Sequence, residues 1–165
     1  MILDLDPRSG VVAVRGSATW RKLEAWLAER GLTLGPVPAR VARLSVAATF
    51  GAGADWRPSP LYGPLLESAL SLVAILPGGQ KTHSTVAPRR ATGPDLARAL
   101  VGTGSRAGRL EQAHLRVWPR PLERAARTVA LPGWGAAGDL VRRTLDAGVR
   151  PAWWRLTSAR SKLSL

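Results

Sequence analysis

The 165-residue sequence contains no cysteine, which removes disulfides, iron–sulfur ligation, thiol nucleophiles and a cysteinyl-linked flavin in one step. Histidine is nearly as scarce. His83 and His114 cannot assemble a zinc site by themselves, and single histidines on strands or loops are usually solvated. The 11 acids are few and scattered, so neither a carboxylate pair nor a Ser-His-Asp arrangement can be drawn for general acid–base or nucleophilic work. Apolar runs are short: none reaches the length of a membrane span. Residues 1–10 carry Asp4 and Asp6 where a secretory signal needs a basic start and an apolar centre. These features lead to the expectation of a cytoplasmic protein.

What is abundant is arginine. Net charge is +13, and only Lys22, Lys81 and Lys162 among the 24 basic residues are lysine. Such a charge invites a nucleic-acid reading. The arginines are dispersed, however, and no helix-turn-helix, zinc knuckle or aromatic RNA-binding stripe accompanies them. Hydrophobic residues make up 45% and charged residues 21%, the balance of a globular domain.

Periodicity predicts an α+β chain. Met1–Asp6 and Gly10–Arg15 read as a hairpin, with Val12 and Val14 facing inward. Ser17 or Thr19 can cap a following helix in which Leu23, Trp26 and Leu27 share a face and Gly31 supplies the stop; Trp20 and Trp26 read as packing residues. Gly35–Tyr62 lacks periodicity and reads as a loop region. Leu65–Leu76 begins as a helical turn and becomes a strand, Pro77–Gln80 is a turn, and Lys81–Val86 returns. Leu96–Val101 is a short amphipathic run, followed by glycines 102, 104 and 108 and an extended segment, Leu110–Val117, stopped by prolines. Thr128–Leu131 reads as a strand and Ala136–Ala147 as a helix with Leu140, Val141 and Leu145 on one face.

The stretch P-R-R-A-T-G-P-D-L from Pro88, with Gly102, Gly108 and Ala113 beyond it, resembles the P-R-x-x-T-G-P-D and G-S-E-G-T-L-G-V-I-T-E-A segments of FAD-linked oxidases of the vanillyl-alcohol oxidase type, which carry a PCMH-type FAD-binding domain. Within them the alkyl-dihydroxyacetonephosphate synthase and glycolate oxidase branch fits best. Val14–Pro36 is similar to that branch's A-G-A-T-W-x-D-L-x-x-x-L-x-x-x-G-L-x-L-G-P, and Pro151–Leu156 resembles the P-x-x-x-R-L that opens its cap.

The resemblance implies a second subdomain of the FAD-binding domain, an antiparallel sheet flanked by helices, over residues 1–122. Residues 123–165 would begin a cap domain. It implies non-covalent FAD held by Pro38, Ala39, Arg40, Ser45, Val46, Ala52, Gly53, Ala54 and Asp55, which fall on the family's P-D-S-x-E-F-S-T-V-G-G-x-x-x-T-x-A-S-G segment. A second loop, Thr103, Gly104, Ser105, Arg106, Ala107, Gly108 and Arg109, falls on S-E-G-T-L-G-V, with the acid lost. Arg155 falls on an arginine required for activity in the synthase branch, although the acid expected three positions later is Ser158. The family's P-R-G-x-G-T-S-like pyrophosphate loop occurs nowhere in the sequence.

The expectation is therefore an FAD-binding oxidoreductase-type protein, a fragment or half of a split flavoenzyme, with a separate chain supplying the remaining lobe or cap. An apolar edge left uncovered would make it a homo-oligomer. The alternative is a non-catalytic scaffold for protein or polyanion partners.

Overall fold

The computed structural model describes residues 1–53, 59–84, 86, 99–104 and 106–158. Strands β1 (Ile2–Asp6) and β2 (Val11–Arg15) form the expected antiparallel hairpin. Its turn is built by Asp6, whose Oδ1 accepts from the amides of Arg8 and Ser9, and by Gly10 at φ 64°. Val12 and Val14 are fully buried. Ala13, on the opposite face of the strand, is buried too, so β2 is covered on both sides.

Helix α1 (Trp20–Ala28) starts at Thr19, whose hydroxyl accepts from the Lys22 amide; of the two caps the sequence offered, this is the one used. Trp20, Leu23 and Leu27 disappear completely into the core, and burial of each is worth about 1.5–3 kcal/mol. Trp26 is only half-buried, packed against the core edge with the Arg30 guanidinium 3.7 Å from its ring centroid. Gly31 ends the helix in the left-handed region. Both tryptophans are thus packing residues.

The segment after β3 (Leu32–Thr33) differs from expectation. It contains two short helices, α2 (Ala39–Ala42) and α3 (Val46–Gly51), where the lack of periodicity predicts only loop. One turn of helix is too short to show a period, and the readable signal was the cap: Ser45 Oγ accepts from the Ala48 amide at 3.1 Å.

Helix α4 (Leu65–Ser68) leads directly into β4 (Ala69–Ile75), and β5 (Lys81–His83) returns beside it, shorter than predicted. Strand β6 (Arg109–Arg116) then inserts between β2 and β4. The result is a five-stranded sheet, every pair antiparallel, in the order β1-β2-β6-β4-β5. Position 119 does not stop the chain as a proline was expected to. Trp118–Pro119 forms β7, an edge strand against Leu32–Thr33, which a proline tolerates.

The core lies between one sheet face and α1, α3 and α4, with Val12, Val14, Leu72, Ala113 and Leu115 from the sheet meeting Trp20, Leu23, Phe50 and Leu65. Residues 121–158 pack less. No strand forms at 128–131, because no neighbouring strand offers a ladder, and Val129 is 60% exposed. Helix α5 (Trp134–Asp146) buries only Ala137 and leaves Leu140 exposed. Residues 96–98 of the predicted amphipathic run 96–101 lie outside the described residues.

Candidate functional site

Two glycine-containing loops from distant parts of the sequence are joined backbone to backbone. The Gly102 amide donates to Phe50 O at 2.9 Å, and the Gly104 amide donates to Gly51 O at 2.8 Å. A Cβ on Gly53 would meet Gly102 Cα at 3.0 Å, so the close approach needs glycine at 53, whereas Gly102 is favoured by its left-handed backbone at φ 78°. Gly108, at φ 147°, lies under Ile75 O, 2.9 Å from where a Cβ would be. Together the loops enclose a notch of about 450 Å³ lined by Ala47, Ala48, Phe50, Gly51 and Ala52 from the α3 side and by Leu100, Val101, Gly104, Gly108, Arg109 and Leu110 from the other, with Leu72 below. Ligand pockets typically fall between about 300 and 1,000 Å³.

The floor is hydrocarbon and glycine backbone, with Arg109 as the one charged group among the described lining residues. This suits a flat aromatic ring. A Cβ at Gly104 would meet nothing within 4 Å, so the wall there is open. Ala47 and Ala48, standing where the resemblance has glycines, lie in α3, and no described non-glycine residue has positive φ. The replacement of glycine by alanine is therefore conformationally free.

The amides around the notch are already committed. Val46 N donates to Ala18 O and Ala47 N to Gly16 O, both at 2.8 Å, while Ala48 N is held by Ser45 Oγ. Thr103 Oγ1 closes its own turn on Leu100 O. Trp20 Nε1 donates to Thr49 Oγ1 at 2.7 Å, bracing α3 from behind.

Beyond Leu110, β6 carries a bulge: Val73 pairs with Gln112 and Ala74 with Leu110, leaving Glu111 as the extra residue. Lys81 Nζ lies 2.8 Å from the Glu111 carboxylate. That contact, above all, holds the Glu111 carboxyl below its ordinary value, with Arg109 and Arg15 adding to it against some desolvation. On the same strand, burial pushes His114 below the usual imidazole range, opposed by Asp4. Its Nδ1 is buried without a hydrogen-bond partner among the described residues, while Nε2 sits 3.2 Å from the Gln112 amide nitrogen.

Of the residues singled out from sequence, Ala52, Gly104, Gly108 and Arg109 line the notch. Ser45 and Thr103 shape it as a cap and a turn, and Val46 is core. Gly53 packs on Gly102 behind it. Pro38, Ala39 and Arg40 form the start of α2 and do not line it; Arg106 is exposed and Ala107 half-buried. Ala54, Asp55 and Ser105 lie outside the described residues. Phe50, Gly51, Leu72, Leu100, Val101 and Leu110 were not foreseen, since apolar lining residues carry no chemical signal.

Arg155 is exposed and borders a second concavity, of about 890 Å³, formed within residues 125–158 by Trp134, Leu140, Val141, Trp153 and Trp154. A bond from Ser59 Oγ to Ala152 O, 2.5 Å, ties this region to the body. Among the described residues no group of three or more His, Asp or Glu could hold a metal ion, and no helix is long and apolar enough to cross a membrane.

A family profile described as an FAD binding domain matches residues 1–85, just over half of the chain. Two curated proteins, the uncharacterized FAD-linked oxidoreductase YgcU of Escherichia coli K12 and its counterpart in Escherichia coli O157:H7, are each 23% identical over 159 residues. The alignment covers 96% of this chain but 33% of theirs, so the chain spans about a third of their length. Two solved structures of alkyldihydroxyacetonephosphate synthase superpose with TM-scores of 0.71 and 0.70 at 17% and 18% identity, covering 90% of this chain and 26% and 27% of theirs. At that identity the likeness is one of fold.

Proposed function

Because this chain belongs to the FAD-binding domain family, we propose that the notch between α3 and the 102–108 turn receives an aromatic ring system of FAD, and that the protein works as the flavin-binding part of an FAD-linked oxidoreductase. The observation that carries this reading is the stitching of Gly51 to Gly104 and of Phe50 to Gly102, which makes one rigid, apolar slot out of two loops separated by some fifty residues. A slot fixed by backbone hydrogen bonds is preorganised, so a planar ligand loses little to protein ordering on entry.

When bound, FAD supplies the electron-transfer chemistry. The protein's own contribution is positional. Ala47, Ala48 and Leu72 exclude water from one face, Phe50 supports the floor, and Gly108 lets β6 start without a side chain in the slot. The relatives with the same fold support a flavoenzyme related to alkyldihydroxyacetonephosphate synthase as the finer assignment. Turnover is proposed to need the additional polypeptide those relatives carry, in the same chain or in a partner.

The reading is tested by titrating the purified protein with FAD and following flavin fluorescence and absorbance. Binding that disappears in Ala48→Phe, with the unfolding transition unchanged, supports the notch. Binding that survives the plug places the flavin elsewhere.

A further inference from the structure

Helix α5 has an apolar stripe and nothing to lay it on. Ala137, Leu140 and Val141 recur at helical spacing, yet of the whole helix only Ala137 is buried. The three residues line the hollow of about 890 Å³, and the hollow is bordered by 125–133 from before the helix and by 151–158 from after it. Its apolar lining is open to solvent, with Val129 60%, Trp153 56% and Leu156 47% exposed.

The backbone of these flanks is as unpartnered as the stripe. Among the described residues, no amide of 128–131 or 153–157 donates to a backbone carbonyl, and neither segment joins a sheet. Pro132 closes the first segment and Pro151 opens the second, so each is a short extended run bounded next to the helix. Two extended runs flanking one helix, with a hollow over the apolar stripe and no ladder between them, make a β-α-β unit whose middle is vacant. Charge adds a second constraint. Arg127 and Arg155 border the hollow, and no acid is among its described lining residues.

We propose that this hollow is the docking groove for one β-strand of another polypeptide, an extended segment with apolar residues at alternate positions and a carboxylate at each end. The strand lies between 128–131 and 153–157, pairs with their free amides and carbonyls, and sets its apolar face on Leu140 and Val141. A helix would fill the space but offers the flanks no donors or acceptors, whereas strand addition satisfies both. The carboxylates meet Arg127 and Arg155 at the rim. A second copy of this chain fits less well, because its own extended run at 128–131 brings Arg127 with it. Residues 159–165 bring Arg160 and Lys162, again the wrong sign.

The test uses the full chain and a synthetic heptapeptide, acetyl-Glu-Val-Thr-Val-Thr-Val-Glu-amide, followed by tryptophan fluorescence and by hydrogen exchange. Saturable binding with a blue shift and slowed exchange at 128–131 and 153–157 is expected. Replacing the central valine of the peptide by proline should weaken binding roughly tenfold or more, since it removes a ladder donor and blocks extended pairing. Lysine in place of both glutamates should weaken it by a similar factor, and the double variant Arg127→Gln/Arg155→Gln should lose that preference. Val129→Asp, at an exposed position, should abolish binding while the unfolding transition stays unchanged.

No binding of the glutamate peptide, or equal binding of the proline version, overturns the strand. Slowed exchange at 128–131 that appears with rising protein concentration and no peptide makes a second copy the occupant, and the assignment to another polypeptide is wrong. If vesicles of phosphatidylcholine and phosphatidylglycerol shift the tryptophan emission where the peptide does not, the surface is a membrane contact. None of these readings involves flavin, so their failure leaves the notch standing.

Discussion

Trp20 Nε1 donates to Thr49 Oγ1 at 2.7 Å, and the same threonine hydroxyl donates to Ser45 O at 3.0 Å, so one buried oxygen links α1, α3 and the cap of α3. Thr49→Val keeps the shape and removes both roles. Loss of this buried pairing should cost about 1–3 kcal/mol of stability, read as a lower midpoint in urea unfolding. An unchanged midpoint would show that the indole does not depend on this acceptor.

The glycines divide into two kinds. Gly108 is held at φ 147° against Ile75 O, where a Cβ meets backbone, whereas a Cβ on Gly138 inside α5 meets nothing. Gly108→Ala should destabilise by more than about 1 kcal/mol and distort the notch. Gly138→Ala should stabilise by up to about 1 kcal/mol, the usual helix preference for alanine. Paired thermal melts of the two variants check the contrast, and effects of equal sign would contradict it.

Stability should fall on acidification in two stages. His114 has its folded pKa pushed below the ordinary 6.5 by burial, so the unfolded chain takes up this proton first. Its contribution is complete above about 6.5 and is lost as pH drops from there towards the folded value. Glu111, held below its ordinary 4.5 by Lys81, contributes fully above that value, and its share is lost as pH falls through the folded one. Melting temperature against pH in the unaltered protein and in His114→Gln separates them: the variant should lose the upper stage and keep the lower.

Residues 121–158 expose Leu122, Val129, Trp134, Trp153 and Leu156, an apolar surface unusual for an isolated domain. The protein alone is expected to self-associate as concentration rises. Analytical ultracentrifugation should show that association weaken in Trp134→Glu. A monomer at every concentration would count against an interaction role for this surface.

Much of the architecture could be read in advance because it depends on local chemistry. The alternation of β2, the helical face of Leu23 and Leu27, the stop at Gly31 and the Pro77–Gln80 turn are each encoded by residues a few positions apart. The short helix α3 was missed, since six residues show no period, although Ser45 marked its start. The strand read at Thr128–Leu131 failed for the opposite reason: β propensity without a neighbour makes no ladder.

The amino-acid order thus determined the longer elements, the α+β class and the two loops that resemble a flavin site. Only the folded chain decided that those loops share hydrogen bonds, that their amides are used up, and that Arg15, Lys81 and Arg109 converge around Glu111. Such groupings depend on strand register and on one bulge, and residues brought together across the ladder of a sheet leave no spacing in the sequence by which to find them.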